Sequence, residues 1–157
     1  MKVITLQNGS SLNEKQFIKY FESKVLYTIR KFNLLKEVRN KLKFPLHVKE
    51  LFSLEKIEKI KISKECLDDI SVQIFSSLMK SSGTKNLKDL LPITSKVIRP
   101  FYLMSRQEMI IYSKLKKLEY KDHEKSKLSD FLDELEKNQK NIKNSIVSSL
   151  LKIENLI

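Results

Sequence analysis

Apolar residues recur along much of this chain at helical spacing. Phe17, Phe21, Val25, Ile29 and Phe32 fall at intervals of four and three, which predicts an amphipathic helix over about 13–35. Asn13 is placed as its N-cap, with Gln16 three residues on. A second stripe, Leu67, Ile70, Ile74 and Leu78, predicts a helix over 66–81, broken at Ser82-Gly83-Thr84. Ser105-Arg106-Gln107-Glu108 is a capping-box pattern and starts a helix over 106–118. Leu128, Phe131 and Leu135, then Ile142, Ile146, Leu150 and Ile153, mark two further helices at 128–137 and 141–156, after a polar linker at 120–127.

Between these runs the pattern shortens. Residues 2–7 read as a short strand or extended arm ended by the turn Asn8-Gly9-Ser10. Residues 57–62 and 95–99 read as strands. Leu42, Phe44, Leu46 and Val48 alternate, but Pro45 restricts that run to an edge or an irregular segment. Short helical turns are expected at 49–54 and 86–91. The whole predicts one helix-rich α/β domain over 1–157, with a small, mainly parallel sheet of two to four strands. An all-α bundle with extended connectors is the alternative.

Composition adds a charge. Thirty-one Lys and Arg against 19 Asp and Glu give a formal net charge of +12 in 157 residues. That excess favours nucleic acid, an anionic surface or an acidic partner. The densest basic stretch holds Lys15, Lys19, Lys24, Arg30, Lys31, Lys36, Arg39, Lys41 and Lys43, with Tyr20 and Tyr27 interleaved. Basic residues beside aromatics can hold phosphates and stack bases, so these residues and Arg99 are the candidate RNA contacts. A solvated helix face over ordinary core aromatics gives the same pattern.

Candidate chemistry is sparse. Asp68-Asp69 is an adjacent acidic pair that could hold Mg2+ or act in acid–base work, but acids also belong in the first turn of a helix. Cys66 is the only cysteine, which excludes an internal disulfide and a cysteine-based zinc site. It lies near a helix N-terminus, where a thiolate can be favoured, but His47 and His123 are remote in sequence. Gly9 and Gly83 stand alone, so a glycine-rich phosphate loop cannot form. No leader or membrane span is visible, and a reducing, cytoplasmic location without cofactors is expected.

Three stretches carry a family likeness: residues 17–35 (FIKYFESKVLYTIRKFNLL), 62–78 (ISKECLDDISVQIFSSL) and 98–113 (IRPFYLMSRQEMIIYS). In this order, and with the tail from Leu128, the chain resembles tRNA-thiolating PP-loop ATPases of the TtuA/TtcA type, related to the cytoplasmic tRNA 2-thiolation proteins. The second stretch is similar to the family's Gly-His-Asn-Leu-Asp-Asp segment, with Lys64-Glu65 standing where Gly-His would be. The family's Ser-Gly-Gly-Lys-Asp-Ser loop and its catalytic and zinc-binding cysteines have no counterpart here. Only Asp68 and Asp69 match its adenylation site, as a remnant cofactor-binding pair. The resemblance implies a shortened PP-loop (HUP-like) fold, a non-enzymatic role binding tRNA or a full-length thiolating paralogue, and a homo- or hetero-dimer. A protein–protein adaptor without RNA contact is the rival.

Overall fold

In the computed structural model, residues 3–36, 38, 46–80, 87–122 and 126–157 are described. A two-residue hairpin opens the chain. β1 (Ile4–Thr5) pairs antiparallel with β2 (Ser11–Leu12) across a turn in which Gly9 takes φ +86°. α1 (Glu14–Lys31) follows at once, started by a complete capping box between Asn13 and Gln16. Its predicted stripe is the buried face: Phe17, Phe21, Val25, Ile29 and Phe32 are all in the core.

The sheet differs from expectation. Residues 56–62 are not one strand but a tight hairpin, β3 (Lys56–Ile57) against β4 (Ile60–Ile62), turned at Glu58 with φ +54°. A left-handed Glu carries none of the Gly or Asn signals by which such a turn is read. β5 (Val97–Ile98) then pairs parallel with β4, Lys61 opposite Val97 and Ile62 opposite Ile98. The three-stranded sheet therefore holds one antiparallel and one parallel pair and is not mainly parallel. Short 3-10 turns at Val48–Phe52 and Lys88–Leu90 flank it. The alternation expected at 41–48 and the break at 82–84 lie wholly or mainly outside the described residues.

α2 (Leu67–Met79) connects β4 towards β5 and packs against α5 (Ile142–Ile153), α4 (Lys127–Asn138) and α3 (Arg106–Leu115); α1 packs on α3. Between α1, α3 and the first 3-10 turn lies an aromatic core. Phe21 stacks on Tyr112 with ring centroids 4.0 Å apart, and Phe52 meets Phe101 at 4.8 Å. The later stripes match expectation in part: Leu67, Ile70, Ile74 and Leu150 are buried and Ile146 packs against the core, but other positions are shifted. α5 buries Lys143, Val147, Leu150 and Leu151, leaving Ile153 71% exposed; α4 buries Ser129 and Leu132, leaving Phe131 48% exposed; Leu78 of α2 is also exposed.

Three helices end in the same way. Leu34 N–H reaches Ile29 O, Leu118 N–H reaches Ser113 O and Leu156 N–H reaches Leu151 O, with Asn33, Lys117 and Asn155 in left-handed conformations at the preceding position. These are Schellman closures made without glycine. Lys117→Gly is expected to raise stability by about 0.5–1 kcal/mol, because the relief of left-handed strain exceeds the added freedom of the unfolded chain. Thermal denaturation reads the sign; a lowered Tm would show that the Lys117 side chain contributes more than its backbone costs.

Candidate functional site

β4 ends into the start of α2, so Cys66, Asp68 and Asp69 sit beyond the carboxyl end of a strand with a parallel neighbour. Open α/β sheets bind ligands at such edges. Here an open pocket of about 600 Å³ lies at the edge, and the acidic side chains beside it are partnered from within the chain. Cys66 caps α2: its backbone N–H donates to Asp69 Oδ2 at 2.9 Å and its thiol to the same oxygen at 3.2 Å. Asp68 Oδ1 accepts the first backbone N–H of α3, from Arg106, at 2.9 Å, so two helix N-termini converge on this carboxylate. Its Oδ2 accepts from Lys143 Nζ at 2.7 Å, and the same ammonium reaches Asp133. Arg106 Nη2 stands 3.4 Å from Asp69 Oδ1, and its Nε pairs with Asp122 at 3.1 Å without hydrogen-bond alignment.

All four oxygens of the acidic pair are thus engaged by groups of this chain. Burial opposes charge on Lys143 and Arg106. Hydrogen bonds from Lys143 to Asp133 and Asp68, and the charges of Asp68, Asp69 and Asp122 around Arg106, outweigh it and raise both pKa values. Cys66 moves the opposite way from the expected thiolate: burial first, then the charges of Asp69 and Asp68, push its thiol well above the ordinary range. It is a buried capping group with no activated character. Among the described residues no three His, Cys, Asp or Glu side chains converge as a metal site.

A second internal pair closes the adjacent strand end. Arg99, 6% exposed, donates from Nε to Glu65 Oε1 at 3.1 Å and from Nη1 to Leu91 O at 2.6 Å. Arg99 therefore leaves the set of surface cations. Burial alone would raise the Glu65 pKa; hydrogen bonds from Gln73, Ser63 and Arg99, with the Arg99 charge, reverse this and hold it below its ordinary 4.5. A lowered folded-state value gives stability that is present above 4.5 and lost as pH falls through the folded value. Chemical denaturation at stepped pH should show stability declining below about pH 4.5, and Glu65→Gln should flatten that acid limb. An unchanged limb would assign it to other carboxylates.

The remaining candidate cations divide. Lys24 is half-buried, 3.4 Å from Glu108 Oε1, and donates to the Tyr20 hydroxyl at 3.2 Å. It belongs to the packing between α1 and α3. Lys15, Lys19, Arg30 and Lys31 are exposed on the outer face of α1 and Lys36 just beyond it, none with an ion pair among the described residues. Tyr27, 49% exposed, lies on this face with Lys31 Nζ 5.5 Å from its ring centroid. The face runs about 24 Å, from Lys15 to Lys31 at 1.5 Å per residue, with cations at its two ends and Ser23, Leu26 and Tyr27 between them. Arg39, Lys41, Lys43 and His123 lie outside the described residues, and His47 is exposed.

Sequence reasoning missed Lys143 and Arg106 as the partners of the acidic pair. For Lys143 a signal existed: it stands at i of an i, i+4, i+7, i+8 apolar row with Val147, Leu150 and Leu151. A lysine in that place needs a buried carboxylate.

No family model and no curated protein matches the chain. Among solved structures it is similar to the U34-tRNA thiolase NcsA from Methanococcus maripaludis, solved with its 4Fe–4S cluster; the TM-score is 0.52 at 19% identity, over 77% of this chain and 48% of that one. The two share a fold. This chain spans about half the length of that thiolase. A cluster held by several thiolates does not fit the residues here, since the one cysteine is buried and its thiol pKa is raised.

Proposed function

We propose that this chain is a non-catalytic PP-loop-like protein that binds tRNA and acts beside an active thiolating paralogue as an accessory of tRNA modification. The carrying observation is the outer face of α1: Lys15, Lys19, Arg30 and Lys31 stand exposed and without a carboxylate partner among the described residues, with Tyr27 exposed beside Arg30 and Lys31. Cations without internal partners are free to replace counterions along a phosphate backbone, and an exposed tyrosine offers a stacking surface. The net charge of +12 and the fold shared with a tRNA thiolase support the same reading. The non-catalytic part rests on the acidic pair, whose four oxygens already accept from or pair with Cys66, Arg106 and Lys143, so that a metal ion there would compete with two internal cations.

Filter binding to tRNA across a salt series tests this. Wild type is expected to bind at micromolar protein and to weaken steeply with salt. The quadruple variant Lys15→Gln/Lys19→Gln/Arg30→Gln/Lys31→Gln should lose roughly 3 from the slope of log K against log salt. No binding at micromolar protein, or an unaltered slope, would remove the RNA role. In the same preparation ATP with Mg2+ should leave Tm unchanged, because a ligand of the folded state raises it; a rise would overturn the non-catalytic part.

A further inference from the structure

Between the C-terminal half of α2 and the first turns of α4 lies an open apolar groove of about 690 Å³, floored by Phe75, Met79, Leu128 and Phe131. The Phe75 and Phe131 rings meet at 6.1 Å, while Met79 is 70% and Phe131 48% exposed. Lys80 and Lys127, both exposed and both without an ion pair among the described residues, stand at its rim. The groove is separate from the acidic pair, whose partners Arg106 and Lys143 lie on α3 and at the start of α5, with Asp133 beside them on the opposite face of α4 from Phe131.

From this we infer that the groove docks a partner protein through an amphipathic helix with an apolar face and acidic flanks. Apolar side chains this exposed are held against water at a cost, and a groove between two helices suits anchors at i, i+3 and i+7. The rim selects the flanks. Lys127 stands in the first turn of α4, where the helix dipole disfavours a cation, so its charge does not serve its own helix. A carboxylate from a partner would relieve that position and pair with Lys80 as well. A second copy of this chain suits the groove poorly. Two chains of net charge +12 docked face to face would set Lys80 and Lys127 against their own kind. RNA suits it poorly too, since two cations around an apolar floor give few phosphate contacts.

The probe is a pair of synthetic helical peptides with one apolar face, flanked in one by Glu and in the other by Lys, followed by fluorescence anisotropy. Wild type should bind the Glu-flanked peptide about tenfold more tightly than the Lys-flanked one. Lys80→Glu/Lys127→Glu should reverse that order, and Met79→Glu should weaken the Glu-flanked peptide. All three side chains are exposed, so the fold should survive, and circular dichroism checks it. Equal binding of both peptides, or binding of neither below about 1 mM, would overturn the inference. So would a dimer in sedimentation that Met79→Glu dissolves, or loss of tRNA binding in the charge-reversed variant with peptide binding intact.

Discussion

Lys143→Met is expected to destabilise the chain by about 3–5 kcal/mol, because it removes the cation from a buried cluster and leaves the carboxylates behind. The Lys143 side chain is 6% exposed and that of Asp68 12%. Their mutual attraction offsets the desolvation of both, so loss of one partner leaves the cost of the other uncompensated. For a domain of this size the fall in Tm is on the order of 10 °C. The second substitution makes the result specific. Asp68→Asn keeps an oxygen for the Arg106 N–H but removes the charge, so the double variant Lys143→Met/Asp68→Asn should recover a large part of the loss. Simple additivity of the two would mean that the pair is not coupled. A gain of stability in Lys143→Met alone would mean that the cluster is strained and is held for a purpose other than folding.

Phe21→Ala should cost a similar amount, about 3–5 kcal/mol, by a different route. Phe21 is fully buried and touches Phe17, Phe52, Phe101 and Tyr112, so truncation opens a cavity where α1, α3 and the first 3-10 turn meet. The parallel stack on Tyr112 adds a geometric contact beyond area. Phe21→Leu should cost less, since it refills much of the space. Urea unfolding of the three proteins gives the order; equal midpoints for wild type and Phe21→Ala would show that this core collapses freely around the lost ring. Because Phe21 points away from the outer face of α1, tRNA affinity per folded molecule should not change.

The contrast between these two residues also shows what the sequence made legible. Phe21 lies in a row of large apolar side chains with a basic opposite face, so its helix, cap and buried side could all be read before the structure. α4 and α5 were placed correctly but rotated in part. α4 carries its apolar residues in one stripe of which the core takes only the Leu132 edge, and α5 carries them over half its circumference, so periodicity alone cannot say which edge the core takes. The buried side of α5 includes Lys143, whose place is set by Asp68 and Asp133, 75 and 10 positions away in the chain. The apolar row marks Lys143 as inward-facing, but at such separations nothing local names the carboxylates that receive it. The same holds for Arg99, which reads as a surface cation until Glu65 and Leu91 are seen around it. The hairpin at 56–62 was hidden by a left-handed Glu58 in a run that alternates well enough to pass for a single strand. Of the candidate RNA contacts within the described residues, those on the outer face of α1 and Lys36 kept their solvent-facing positions, while Lys24 and Arg99 were drawn inward by carboxylates on other elements.

The aromatic residues give the protein an optical property of its own. It contains no tryptophan and five tyrosines. Burial, with nearby carboxylates, raises the pKa values of Tyr20, Tyr102, Tyr112 and Tyr120 well above the ordinary 10.0, so the folded chain keeps these phenols protonated and ionises them as it opens. Stability from that source is present below pH 10 and is lost as pH rises. Tyrosinate absorbance under alkali therefore reports unfolding without any added dye. Tyr27, half-exposed beside Arg30 and Lys31 of α1, would lose emission if tRNA bound as proposed and a base stacked on it. In this chain the colour of the core and the light of the surface are carried by different tyrosines.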